Sequence, residues 1–310
     1  MQRFHPTSRP NALRDKVIAD LAENRFAPPG TKRPDVRIAN ALGMDDDARA
    51  ALGRLTALAK SRKTCVPGRF MPDAGVSAQL ASLGVAENVE EADFFRFRLV
   101  VIPYCGISSR QRREWEEMGH PLEDLTSPQV RRAQVALGLL KMEGAQALVI
   151  GHHEDPESLA IAGGSSATRI LETTTDTARL HFAPCFGAVC QTTLSPRRAA
   201  WLVQQLRHRW HDARVTFLDT ISPAMAARDE ALERLLVDCD RVVIVGEPGE
   251  SSCAALLETA LRRSKQAIIV SKPEDLPAAD FLPNEKIALT AGAFATDETI
   301  RAVARALIGR

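Results

Sequence analysis

The hydrophobic positions of this chain fall into two alternating rhythms. Short runs of β-branched and aliphatic residues appear in RFRLVVIPY (96–104), AQALVIGH (145–152), ARVTFLDT (213–220), RVVIVGE (241–247), QAIIVS (266–271) and KIALTAG (286–292). Between them lie longer segments with helical spacing, such as SPQVRRAQVALGLLKME (127–143) and AMAARDEALERLLVDC (224–239). Continuous apolar runs are what strands buried on both faces require, and the intervening helical stretches supply the crossovers between parallel neighbours. The pattern predicts an α/β protein built of βαβ units, with helices on both faces of the sheet or sheets. Residues 1–35, which contain NRFAPPGTKRP, read as an N-terminal extension.

Ligands of open parallel sheets collect beyond the carboxyl ends of the strands, next to helix N-termini. Here those ends read YCGISS, GHHEDPES, CQTTLSP, DTISPAM, GEPGESSC and TAGAFATDE, all rich in small or ionisable residues. Three of the junctions are Ser-Pro pairs: Ser127-Pro128, Ser195-Pro196 and Ser222-Pro223. Serine is a favoured N-cap and proline suits the first helical position, so capping accounts for all three without a ligand.

Lys and Arg number 40 against 39 acids, a net charge of +1, which gives no electrostatic footprint for nucleic acid or a membrane surface. No apolar run approaches a membrane span, and MQRFHPTSRPNALRD lacks the apolar core of a signal peptide, so a cytoplasmic protein acting on a small molecule is expected. The six cysteines, Cys65, Cys105, Cys185, Cys190, Cys239 and Cys253, show no CxxC spacing, which argues against a disulfide framework and a zinc ribbon.

Across about residues 36–308 these segments resemble the 4-hydroxy-3-methylbut-2-enyl diphosphate reductase (LytB/IspH) family, and they do so in order. VVIPYCGIS resembles a strand ending in Ala-His-Gly-Val-Ser, and DLTSPQV resembles Asp-Ala-Thr-Cys-Pro-Leu-Val. VIGHHEDPE is similar to Leu-Ile-Gly-His-x-Gly-His-Pro-Glu, CQTTLS to Thr-Gln-Thr-Thr-Leu-Ser, and ISPAMAARDEA to Ile-Cys-Tyr-Ala-Thr-x-Asn-Arg-Gln-x-Ala. VVIVGEPGESSC and LTAGAFATDE resemble Val-Val-Gly-x-x-Asn-Ser-Ser-Asn-Ser and Val-Thr-Ala-Gly-Ala-Ser-Ala-Pro-Glu.

The resemblance implies three α/β modules in pseudo-threefold arrangement around a central cavity. Their expected bounds are 36–125, completed by 286–310, then 126–212 and 213–285. It also implies an iron–sulfur cluster on three cysteines. Ser127 and Ser222 stand at two of those positions, and Met44 or Asp45 at the third. Oxygen is a poor substitute for thiolate in such a cluster, so the expectation is a chain without the family's cluster and without its reductive chemistry.

By the same resemblance, Cys105 and Asp155 replace two of the three histidines that hold the diphosphate, and the third falls near Pro72. Glu250 stands at the first serine of the Ser-Ser-Asn run, followed by Ser251 and by Ser252 at its asparagine, and Phe294 fills another serine position. The added carboxylates disfavour a diphosphate and suit a cationic or amine-bearing ligand, or one carried by a divalent metal. Glu157 stands at the proton-delivering glutamate, Thr192 at the threonine that touches substrate, and His152 is kept.

These residues lead to the expectation of a cytoplasmic bacterial enzyme of specialised metabolism, doing non-redox acid/base or nucleophilic chemistry on a small polar metabolite. Glu157 would be the acid or base, Cys105 the nucleophile or a ligand, and Asp155 and Glu250 the binders of a cation. Thr192, Ser127, Ser222, Ser251, Ser252, His152 and Asp45 would orient substrate. Cys105, His152, Asp155 and Glu157 form a chemically sensible divalent-metal set. A cysteine beside helix N-termini is expected to have a lowered pKa. Two alternatives stand beside this: a non-catalytic ligand-binding or regulatory homologue, and a reductase with its cluster rebuilt on Cys105, Cys190 and Cys253.

Overall fold

The computed structural model describes residues 12–23, 34–277, 281–282 and 284–309. The strands are β1 (Asp35–Ile38), β2 (Thr64–Cys65), β3 (Leu99–Ile102), β4 (Leu122–Asp124), β5 (Gln146–Ile150), β6 (Arg169–Leu171), β7 (Cys185–Cys190), β8 (Arg214–Phe217), β9 (Arg241–Val245), β10 (Gln266–Val270) and β11 (Lys286–Ala291). The helices are α1 (Ala12–Glu23), α2 (Asp46–Ala59), α3 (Ala74–Ser82), α4 (Ser109–Glu117), α5 (Pro128–Met142), α6 (Pro156–Ala162), α7 (Thr174–Ala178), α8 (Pro196–Arg209), α9 (Pro223–Leu235), α10 (Ser251–Arg262) and α11 (Asp297–Ile308).

The strands assemble into three sheets, ordered β1-β11-β9-β10, β2-β3-β4 and β6-β5-β7-β8. Every strand pair is parallel, which is the α/β architecture the hydrophobic rhythm predicts. Central strands such as β9 and β11 are almost wholly buried, while the edge strands β1, β6, β8 and β10 are partly exposed.

The chain divides into two compact units, residues 1–44 with 227–310, and residues 45–226. The expected module bounds are corrected at three strands. β1 and β11 do not serve the sheet of 36–125; they pair with each other and β11 pairs with β9, in the register Val36↔Ile287 and Leu289↔Val243. β8 closes the sheet of the second module, with Cys185 opposite Arg214, instead of opening the third. A parallel strand is joined to its neighbour through a crossover, so chain order alone does not name the partner of an edge strand.

The N-terminal extension is corrected in part. Residues 1–11 and 24–33 lie outside the described residues, but α1 is a helix whose Leu13 and Val17 are buried with Ile300, Val303, Ala304 and Leu307 of α11. In the unit of 45–226, Val130, Ala133, Leu137 and Leu140 of α5 pack on Ala147 and Val149 of β5 and Val189 of β7. A second cluster joins Val100 and Ile102 of β3 to Phe94 and Trp115, whose rings meet edge to face at 5.3 Å. These cores hold fixed the ends of β3, β5 and β7, from which the site residues project.

Candidate functional site

Several helices begin at residues singled out in the sequence that lie within 45–226. Asp45 caps α2, its Oδ1 accepting the Ala48 N–H at 2.9 Å. Ser127 caps α5, its Oγ accepting from Gln129 N at 3.2 Å, and Ser222 Oγ accepts from Met225 N at 3.0 Å at the start of α9. Ser195 caps α8 in the same way. Each oxygen satisfies an N–H that a helix leaves without an intrahelical partner. Hard oxygens committed to backbone amides are a poor donor set for an iron–sulfur cluster, which is held by thiolates.

Glu157 is the second residue of α6, in its first turn. It is only 6% exposed, and its Oε1 accepts the Thr192 N–H at 2.5 Å. Thr192 in turn accepts the Ser222 N–H through its carbonyl at 2.9 Å. Asp155 caps α6 by accepting the Glu157 N–H at 2.8 Å. Glu157, Thr192, Ser222 and Asp155 are therefore brought together by α6 and the loop after β7.

Cys105, at the end of β3, is half-buried. Burial, with the charges of Glu157 and Asp155 beside it, pushes its thiol up to about 12. That reverses the expectation of a lowered pKa: burial and the two neighbouring carboxylates make a thiolate costly. As it stands, Cys105 is a neutral thiol rather than a ready nucleophile.

His152 parts company with this group. Its Nδ1 meets Glu172 Oε1 at 3.0 Å, and His153 pairs with Asp176 at 3.1 Å, so both histidines turn to the acids following β6. The proposed metal set of Cys105, His152, Asp155 and Glu157 is thereby divided among other partners. Among the described residues no three His, Cys, Asp or Glu side chains are placed to share a metal ion.

The remaining acid and serines lie in the unit of 1–44 and 227–310. Glu250 is 3% exposed and folds back on α10, where Oε1 accepts Ser252 N at 2.8 Å and Oε2 accepts Cys253 N at 3.0 Å. Ser252 Oγ donates to Glu250 Oε2 at 2.5 Å and accepts Ala293 N at 2.7 Å. Glu250 was expected to bind a cation; its carboxylate is instead a helix cap, held by N–H and O–H donors. Ser251 Oγ is buried with no hydrogen-bond partner.

Two of the cysteines considered for a rebuilt cluster are core residues. Cys190 is fully buried beside Thr220 Oγ1, 3.5 Å away, and burial pushes its thiol up to about 11. Cys253 is buried against Gly246 and Gly292, where an added Cβ would come within 2.5 and 2.4 Å of its sulfur.

Two residues that the sequence did not single out complete the site. Gln191, 0% exposed, accepts from His152 N and Ser158 Oγ and donates to Thr193 Oγ1, which bolts the ends of β5 and β7 and the start of α6 together. Tyr104 is 8% exposed and its hydroxyl shares a hydrogen bond with Ser127. The available signal was that it is the chain's single tyrosine, placed directly before Cys105.

A family model described as LytB protein matches residues 48–308. The 4-hydroxy-3-methylbut-2-enyl diphosphate reductase of Saccharophagus degradans is 29% identical over 216 residues, covering 67% of this chain and 70% of that protein. The enzyme of the same name from Nitrosomonas europaea is 30% identical over 223 residues, covering 70% and 68%. Among solved structures, the E-1-hydroxy-2-methyl-but-2-enyl-4-diphosphate reductase from Plasmodium falciparum matches with a TM-score of 0.81 at 22% identity, over 87% of this chain and 86% of that one. A second reductase of the non-mevalonate pathway matches with a TM-score of 0.62 at 21% identity, over 89% and 100%. These structures establish the likeness of fold, and the match over residues 48–308 establishes descent: the chain belongs to the LytB protein family.

Proposed function

We propose that this LytB-family protein works without the iron–sulfur cluster and performs acid/base chemistry on a small polar, amine-bearing metabolite. The observation that carries the reading is Glu157, a buried carboxylate fixed by Thr192 beside Ser222, in a site whose cluster positions offer capping oxygens. Glu157 is the proton donor or acceptor. Asp155 and Asp45 give the neighbourhood its negative charge, and the hydroxyls of Thr192, Ser127 and Ser222 orient substrate. Cys105 serves as a neutral hydrogen-bonding thiol rather than the nucleophile first expected.

Protein purified without oxygen is expected to be colourless and free of iron and sulfide; a brown protein containing both overturns the reading. With a substrate found by thermal-shift screening of amine-bearing metabolites, Glu157→Gln is expected to lower kcat by about 100-fold or more, the usual worth of a general acid or base. One observation favours a binding protein instead: Glu157 Oε1 already holds a backbone N–H. Binding without turnover of any hit would select that reading.

A further inference from the structure

A cavity of about 480 Å³ lies between α4 and the stretch from α6 to β6, within the unit of 45–226. None of its lining residues belongs to the group around Glu157 and Cys105. Its apolar side is made by Leu159 and Ala162 of α6 with Ile170 of β6. Leu159 is half-exposed there, although its neighbours Ser158, Ala160 and Ile161 are buried.

The charged residues of the lining are Glu91, Arg110 and Glu114. Arg110 Nε donates to Glu114 Oε1 at 2.8 Å, one turn along α4, so these two charges offset each other and Glu91 leaves the wall net negative. Glu91 Oε1 accepts the Trp115 indole N–H at 2.7 Å, a neutral donor that fixes the carboxylate without discharging it. Among the described residues Glu91 has no ion-pair partner. Thr168, also in the lining, is 8% exposed, and its Oγ1 has no hydrogen-bond partner among the described residues. An exposed leucine, an unpaired carboxylate and an unsatisfied buried hydroxyl are each ordinary alone. Together they line one cavity of ligand size, with an apolar side and a few polar groups to orient an occupant.

We propose that this cavity binds a small organic amine, its ammonium at Glu91 and its apolar body against Leu159, Ala162 and Ile170. The sign of the charge follows from the wall: an anion would meet Glu91 uncompensated, whereas an ammonium forms a charge-assisted hydrogen bond with it. The site is independent of the reading of Glu157, but it stands on the same scaffold. Leu159 and Glu157 share α6, and Gln134 Nε2 donates to Ile107 O at 2.9 Å and Ala160 O at 3.0 Å, which ties the segment after Cys105 to that helix. Ser108, next along that segment, caps α4 and lines the cavity, so Gln134 also holds its two walls at a set spacing.

The test is calorimetry on the full chain with phenethylamine, its neutral isostere 2-phenylethanol and the anion phenylacetate. Phenethylamine is expected to bind saturably, with Kd on the order of 1 mM or tighter for a ligand of this size, and the other two at least about 5-fold more weakly. Glu91→Gln, which keeps an acceptor for Trp115, and Leu159→Gln, at a half-exposed position, should each weaken phenethylamine about 5-fold or more, with thermal melts to confirm folding. Glu157→Gln should leave its affinity unchanged. No saturable binding of phenethylamine overturns the proposal, as does equal binding of phenylacetate, or a folded Glu91→Gln or Leu159→Gln form that binds as the unaltered protein does. Loss of binding in Glu157→Gln alone would place the amine at the other site and overturn it too.

Discussion

A buried carboxylate means opposite things depending on which way it points, and Glu250 is the sharpest case. Its two oxygens take Ser252 N, Cys253 N and Ser252 Oγ, the donors that an external anion at the start of α10 would use. Inorganic pyrophosphate is therefore expected to leave the melting temperature of the unaltered protein unchanged and to raise that of Glu250→Ala, which frees those donors. No response in the folded variant counts against this account. Gly292 stands close behind: an added Cβ would lie 2.6 Å from Glu250 Oε2 and 2.4 Å from Cys253 Sγ. Gly292→Ala should cost about 1–3 kcal/mol in urea unfolding, as overpacked cores do. At this scale the sequence was legible where local chemistry decides, as in the Ser-Pro caps at Ser127, Ser195 and Ser222. It was not legible where orientation decides: Glu250 caps its own helix, and His152 turns to Glu172, a partner 20 residues away.

Helices and strands were the most legible level, because burial on both faces writes an apolar run into each central strand and crossover helices carry their caps in plain sight. What the elements do to one another was less so. The short helix α7 depends on Asp176, whose Oδ2 accepts Glu172 N at 3.0 Å, Thr173 N at 2.7 Å and Thr173 Oγ1 at 3.0 Å, and also pairs with His153. One carboxylate thus closes the turn after β6 and anchors the loop after β5. Asp176→Ala takes the shared acceptor from all of those donors at once. We expect it to cost about 1–2 kcal/mol, in the range of a lost cap, and to speed hydrogen exchange at Glu172 and Thr173 before the core of β5 responds. Protection unchanged at those two amides would show that the turn holds without it. Gln191 plays the same part for β5, α6 and β7, and no spacing rule announces it, since a buried glutamine at a strand end is defined only by what the fold brings against it.

At the scale of the molecule the titrating groups set a window of stability whose two sides have different origins. Burial alone would raise Asp124, Glu172 and Asp176, but the hydrogen bonds they accept outweigh it. Those bonds come from Thr126 and Arg112 for Asp124, from His153 and His152 for Glu172, and from Thr173, Glu172 and His153 for Asp176, and all three carboxyls are held below their ordinary value. A group lowered on folding adds stability that is complete above its unfolded pKa, about 4 for a carboxyl, and is lost as pH falls through the folded value. On the other side, burial raises Cys65 and Cys190 to about 11 and Cys105 to about 12. Their contribution is complete below the ordinary thiol value of 9.0 and is lost as pH rises toward those raised values. The urea midpoint should therefore be flat between about pH 5 and 8 and fall on both sides. Asp124→Asn should soften only the acid limb and Cys105→Ala only the alkaline one. If Cys105→Ala left the alkaline limb unchanged, the thiol would not be held by the buried, acid-lined surroundings of Glu157 and Asp155, and the assignment of Cys105 as a neutral member of this site would fall with it.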